Sequence, residues 1–282
     1  MTHDVEFCVA DGLKLFGNML GPETGQTVLL AHGGGQTHWA WRRTVKALAD
    51  RGFRAVAIDL RGHGQSEWAA DGDYHHATFA RDVLDVADQL GGKPAMVGAS
   101  LGGIAGMLAE GTLRPGTFSS LTLVDITSRP DSVGVERVIS FMGANVEHGF
   151  ASPEDAAESI AAYTPNRRKR GPSDSLERYL RKGADGRYRW HWDPAFLDKV
   201  NGPRMKENDE LPTAARGLTL PVHLIRGGSS DLVPASAVAE FREQVPHAAF
   251  TDIAGAGHMV VGDKNDAFSD AIITFLLAHR AD

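Results

Sequence analysis

The chain has 282 residues, of which 42% are apolar, 23% charged and 7% aromatic. This composition supports a buried core, and the length is typical of one core with a subordinate element. A formal net charge of −7 with no extended basic patch argues against nucleic acid as a partner.

The sequence contains no membrane or secretion signal that we recognise. No apolar run approaches the roughly 18 residues of a membrane span, and the acidic start MTHDVE is unlike a signal peptide. The single cysteine cannot form an internal disulfide. We therefore expect a cytoplasmic protein that does not associate with membranes, as a monomer or a homodimer.

Short apolar runs alternate with amphipathic stretches in the first half of the chain. Such runs are typical of strands buried on both faces of a parallel sheet. They occur at residues 28–31, 55–58, 95–98 and 121–124. Helix-like stretches separate them at residues 39–50, 78–90 and 101–110. This alternation predicts an α/β fold with a doubly wound, mostly parallel sheet.

The pattern changes after the predicted strand at residues 121–124. Residues 128–210 contain helix-like pieces without a convincing buried strand, and Ser152-Pro153 is a typical helix start. Strand and helix patterns resume at residues 222–226, 235–244, 249–253 and 263–278. We predict a core formed by residues 1–127 and 211–282, with residues 128–210 inserted as a helical cap. Ligands bind at the carboxyl ends of the strands in such sheets, which this cap would cover.

The strongest motif is Gly98-Ala99-Ser100-Leu101-Gly102, a G-x-S-x-G pattern between a predicted strand and a predicted helix. In that context the motif forms a sharp turn that exposes the serine as a nucleophile. The turn would also aim the Leu101 amide at a developing oxyanion. His32-Gly33-Gly34-Gly35 follows an earlier strand, and we expect the Gly34 amide to be the second oxyanion donor.

A serine nucleophile needs a base and an acid that orients it. We expect His258 to be the base, because it follows a Gly-Ala-Gly loop between the last strand and the last helix. For the acid we favour Asp231, which follows the strand at 222–226. Asp125 remains an alternative, since it ends the strand after the nucleophile helix.

These motifs resemble those of α/β-hydrolases of the capped, small-substrate kind. The resemblance covers both halves of the core, at residues 32–35, 59–66, 98–102, 228–233 and 255–258. It implies a serine hydrolase that forms an acyl-enzyme without a metal or any other cofactor. It also implies an ester or lactone substrate of small to medium size and hydrophobic character. Residues 189–194, in the predicted cap, match no part of the family to which a role could be carried over.

The predicted cap and the resemblance together suggest which residues form the substrate pocket and which other activities are possible. We predict that aromatic and sulfur-containing side chains bind the substrate: Trp39, Phe141, Met142, Trp190 and Trp192. A C–C bond hydrolase and a cofactor-free perhydrolase, or chloroperoxidase, are alternatives with the same motifs. A slow-turnover ligand receptor on this fold is an alternative of another class.

Overall fold

The computed structural model describes most of the chain. The described residues are 2–163, 176, 179–200, 209–257 and 266–280. The predicted base His258 lies outside them, so its position is an expectation from the sequence alone.

The described strands and helices alternate as the sequence predicts. The strands are β1 His3–Cys8, β2 Lys14–Leu20, β3 Thr27–Ala31, β4 Arg54–Ile58, β5 Ala95–Ala99, β6 Leu121–Val124, β7 Leu180–Lys182, β8 Tyr188–Trp190, β9 Val222–Gly227 and β10 Ala249–Ile253. The α-helices are α1 Arg42–Asp50, α2 His76–Leu90, α3 Leu101–Leu108, α4 Ser132–Gly143, α5 Pro153–Tyr163, α6 Ala195–Val200, α7 Glu210–Gly217, α8 Ala235–Gln244 and α9 Asp266–Ala278. Within the described part of the chain, none of them is long and apolar enough to cross a membrane.

Eight strands form the central sheet in the order β1-β2-β4-β3-β5-β6-β9-β10. β1 and β2 pair antiparallel, and β2 also runs antiparallel to β4. All other neighbours in this sheet are parallel. The carboxyl ends of β3, β5 and β6 therefore meet at one edge of the sheet, which is where ligands bind in open α/β folds.

Hydrophobic cores cover both faces of the sheet. Successive side chains of a strand point to opposite faces. In β3, Leu29 packs into one buried cluster, while Val28 and Leu30 pack into the other. The first cluster includes side chains from α2, α3 and α8, and the second includes side chains from α1 and α9. The sheet is therefore doubly wound, as predicted.

The inserted segment is the set of described residues from 128 to 209, between β6 and α7. It follows the sixth strand, and it is not entirely helical, in contrast to the helical insertion that the sequence analysis expects. It also contains the antiparallel pair β7–β8. A turn joins these strands, in which Gly183 donates its N–H to the Arg187 carbonyl and Gly186 has a φ of 79°. Both strands have three residues, too few for a periodic pattern in the sequence.

Candidate active site

Ser100 occupies a strained turn between β5 and α3. Its φ is 44°, in the left-handed region that residues with a side chain rarely adopt. The glycines on either side fit because a side chain would clash with backbone. A Cβ on Gly98 would lie 2.4 Å from the Gly102 carbonyl oxygen, and one on Gly102 would lie 2.4 Å from the Ala31 carbonyl oxygen. The G-x-S-x-G spacing is thus a steric requirement of this turn.

The glycine loop after β3 lies directly against the serine. Residues 33–36 form a turn in which Gln36 donates its N–H to the Gly33 carbonyl at 3.0 Å. A Cβ on Gly33 would lie 3.3 Å from the Ser100 Cβ. Leu101, at the start of α3, has an N–H that its own helix does not use. The structure thus places the glycine turn and the start of α3 beside the same serine.

His32 fixes the orientation of the peptide that carries the Gly34 amide. Its Nε2 accepts a hydrogen bond from the Leu60 N–H at 3.0 Å. Nδ1 therefore carries the proton and donates to the Gly33 carbonyl at 2.8 Å. The Gly33 C=O and the Gly34 N–H belong to one trans peptide and point in opposite directions. Burial lowers the pKa of His32 to about 4, so the ring stays neutral near pH 7.

Gln36 is a residue that the sequence analysis missed. Its side-chain Oε1 accepts a hydrogen bond from the Gly33 N–H at 3.1 Å, and Gln36 is buried. Gln36 therefore closes the turn with two hydrogen bonds, one to the carbonyl of Gly33 and one from its N–H. A polar side chain directly after three glycines was the available signal.

Ser100 opens into a cavity of about 890 Å³, within the usual range of small-molecule pockets. The cavity lies between the sheet edge and the inserted segment. Its apolar lining includes Ile104, Val124, Ile126, Val138, Phe141, Met142, Trp192, Phe196 and Leu232. Three of the predicted substrate-binding residues, Phe141, Met142 and Trp192, line this cavity.

Two predicted substrate-binding residues lie elsewhere. Trp39 lies in a separate surface groove beside α1, where the Arg42 guanidinium sits 5.6 Å from the centre of its ring. It follows the glycine turn in sequence, but the chain has by then turned into a short 3₁₀ helix. Trp190 is buried behind Trp192, with the two rings stacked 4.9 Å apart. It supports the cavity wall without lining the cavity.

Asp231 and Asp125 have contrasting environments. The Asp231 side chain is 44% exposed and accepts a hydrogen bond from Arg137 at 2.8 Å. Asp125 is buried and has a φ of 51°. Its Oδ1 accepts from the Gly227 N–H at 2.9 Å and its Oδ2 from the Ser230 hydroxyl at 2.6 Å. The Asp125 carboxylate is therefore held in one orientation beside the strand that carries Ser100.

The order and direction of the strands agree with comparison to known families. The model of the alpha/beta hydrolase fold family matches residues 26–265. The chain belongs to this family. The resemblance inferred from the motifs is confirmed, as is the fold class.

Individual relatives are similar over most of their length. An esterase of Mycobacterium tuberculosis is 27% identical over 87% of this chain and 80% of its own. An sn-1-specific diacylglycerol lipase of Mus musculus is 29% identical over 94% of this chain and 85% of its own. The crystal structure of an E-2-(acetamidomethylene)succinate hydrolase superimposes with a TM-score of 0.85 at 23% identity, covering 98% of this chain and 99% of the other. Family and relatives together support hydrolase as the enzyme class.

Proposed function

We propose that this hydrolase cleaves an ester or lactone of small to medium hydrophobic character, with Ser100 as nucleophile. One observation carries the proposal: Ser100 has a left-handed φ at the start of α3, beside the glycine turn, and faces an apolar cavity. None of the described acidic or basic residues that line this cavity is fully buried: Arg129 and Glu136 are exposed, and Asp131, Glu210 and Glu240 are partly exposed. The buried part of the cavity therefore favours an uncharged substrate.

The proposed reaction is acyl transfer in two steps. Ser100 Oγ attacks the carbonyl carbon while His258 takes the hydroxyl proton. The amides of Gly34 and Leu101 stabilise the oxyanion, and each such donor contributes about 3 kcal/mol to lowering the barrier. The C–O bond to the leaving group then breaks, and His258 returns the proton to the departing alcohol. In the second step His258 deprotonates water, which attacks the acyl-enzyme, and the acid is released as Ser100 regains its proton.

We propose Asp125, rather than Asp231, as the acid that orients His258. The contacts of Gly227 support this choice, because its N–H holds the Asp125 carboxylate. A Cβ on Gly227 would lie 2.5 Å from the Gly257 carbonyl oxygen. The residue directly before His258 therefore packs against Gly227. Asp231 instead pairs with Arg137 and is exposed to solvent. A carboxylate in solvent stabilises an imidazolium less than a buried carboxylate does.

We also propose that the inserted segment acts as a cap. Its residues Phe141, Met142 and Trp192 line the cavity over Ser100. They would exclude water from the acyl group and so strengthen the oxyanion hydrogen bonds.

The test is hydrolysis of p-nitrophenyl esters from acetate to dodecanoate, followed by a series of lactones. Wild type is compared with Ser100→Ala and with Ser140→Ala, an exposed serine on α4. We expect turnover that peaks at short to medium chains, loss of nearly all activity in Ser100→Ala, and no change in Ser140→Ala. Activity retained by Ser100→Ala would disprove the assignment of the nucleophile.

A further inference from the structure

The resemblance assigned no role to the segment at residues 189–194, yet this segment contacts the glycine turn. His191 lies within it, directly after β8, and is 2% exposed. Its Nδ1 lies 2.7 Å from the Gly64 nitrogen, and its Nε2 lies 3.3 Å from the Gly35 carbonyl oxygen. One imidazole thus bridges the loop after β4 and the turn beside Ser100.

The contacts of His191 determine which nitrogen carries the proton. The Gly64 N–H can only donate, so Nδ1 must be the acceptor. Nε2 then carries the proton and donates to the Gly35 carbonyl. Burial lowers the pKa of His191 to about 3, so this arrangement persists over the pH range in which the enzyme would work.

Hydrogen bonds from nearby residues hold the start of the turn at residues 33–36. His32 and Gln36 hold the Gly33 end. Gly35 has a φ of 72°, and its carbonyl points to His191. A glycine in this conformation has little intrinsic rigidity. The bond from His191 therefore adds a restraint at Gly35, at the other end of the turn.

Neighbouring bonds hold His191 itself in place. Asp193 donates its backbone N–H to the Gly62 carbonyl at 2.8 Å, and its carboxylate accepts from the Tyr74 hydroxyl at 2.6 Å. These two bonds fix the chain directly after His191 against the loop after β4 and the residues before α2.

We infer that His191 is a positioning residue that sets the Gly34 oxyanion donor through its hydrogen bond to the Gly35 carbonyl. The inference rests on the proposed function, because it assigns the Gly34 amide to the oxyanion. A donor that acts only in the transition state changes kcat rather than KM. A displacement of about 1 Å at such a donor can cost about a hundredfold in rate.

Two amide variants separate the two bonds of His191. His191→Asn places an acceptor near Nδ1, which keeps the bond from Gly64 and loses the one to Gly35. His191→Gln places a donor near Nε2, which keeps the bond to Gly35 and loses the one from Gly64. Arg181→Ala is the matched control, since it removes a bond to the Gly64 loop and leaves the turn untouched.

We expect kcat for the best ester to fall about tenfold to a hundredfold in His191→Asn, with KM nearly unchanged. His191→Gln and Arg181→Ala should stay within about threefold of wild type. Melting temperatures identify effects on folding alone. Equal losses of kcat in the folded Asn and Gln variants, or a loss confined to KM, would overturn the inference. A folded Gln variant with a large loss of kcat would do so even if the Asn variant failed to fold.

A second readout separates this inference from the proposed function. A fluorophosphonate probe labels an activated serine and places its P=O oxygen in the same hole. We expect labelling of His191→Asn to slow by a factor similar to that in kcat. Wild type that is labelled but cleaves neither esters nor lactones would contradict the substrate class alone, and the labelling ratio would still test His191. Wild type that shows neither reaction would overturn both proposals.

Discussion

The Arg137 guanidinium donates to the Asp231 carboxylate at 2.8 Å and so joins helix α4 of the inserted segment to the loop after β9. Both side chains are about half exposed, and pairs of this kind contribute about 0–1 kcal/mol. Backbone contacts reinforce the junction, since Asp131 donates its N–H to the Leu232 carbonyl at 2.9 Å. In this structure Asp231 therefore lies at the junction between the inserted segment and the core.

The first prediction distinguishes Asp125 from Asp231 as the acid that orients His258. Asp125→Asn should lower kcat by about 10⁴-fold, because an amide cannot stabilise the imidazolium of His258. It should fold, since an amide oxygen can still accept from the Gly227 N–H and the Ser230 hydroxyl can accept from the amide nitrogen. Asp231→Asn should change kcat by less than about threefold, because it removes only an exposed ion pair. Steady-state kinetics with a p-nitrophenyl ester measures both.

The outcome is decisive in either direction. A large loss of kcat in Asp231→Asn, with Asp125→Asn active and folded, would return the assignment to the acid favoured by the sequence. Arg137→Gln is the control for the ion pair. Its effect on the melting temperature should match that of Asp231→Asn and should shrink as salt is added.

The second prediction concerns the tight turn around Ser100. Gly102→Ala should destabilise the fold by about 2 kcal/mol or more, because its Cβ would lie 2.4 Å from the Ala31 carbonyl oxygen. Gly143→Ala is the matched control, since it also lies in a helix and its Cβ would meet its nearest neighbour, Leu197, at 3.9 Å. Alanine should be neutral or stabilising there, by up to about 1 kcal/mol. Urea unfolding of both variants gives the comparison, and equal stabilities would contradict the steric argument.

Local sequence determines some parts of this molecule and leaves others open. The buried parallel strands were predictable because both of their faces are apolar, as in β3 and β4. The start of α5 was predictable from its cap, where the Ser152 hydroxyl accepts from the Asp155 N–H. β2 was missed, because Lys14–Leu20 includes a glycine and only part of it is buried.

The site residues also differ in how well local sequence predicts them. The Ser100 turn and the glycine turn are local in sequence, so their motifs predicted them. The contrast between Asp125 and Asp231 depends on contacts with Gly227 and Arg137, which lie about a hundred residues away in the chain. The same holds for His191, whose partner Gly35 is 156 residues away. Long-range pairing of this kind leaves no local signal.

The third prediction compares Trp39 and Trp192, which the sequence analysis both assigned to substrate binding. Trp192→Phe should enlarge the cavity, because Trp192 lines it. The ratio of kcat/KM between neighbouring ester chain lengths should then shift by about tenfold in favour of the longer chain. Trp39→Phe should leave the profile unchanged, because Trp39 lies in the separate groove beside α1. The measurement is kcat/KM across the acyl series for both variants and wild type. A shifted profile in Trp39→Phe would contradict the position of the cavity.

The last prediction is a loss of stability at mildly acidic pH. Burial lowers the pKa of His32, His76 and His223 to about 4, from an ordinary value of 6.5. Between these two values the unfolded chain binds protons at these positions and the folded chain does not. The free energy of unfolding should therefore fall as pH drops from 6.5 towards 4, by up to about 1.4 kcal/mol per pH unit for each histidine.

His223→Gln tests this prediction, because it removes one of the three titrating groups and should reduce the slope by about one proton. The variant should fold, since its amide can still donate to the Thr251 hydroxyl that faces the His223 Nε2. Urea unfolding across this pH range measures the slope, and a free energy of unfolding that rises on acidification would show that these histidines do not control acid stability.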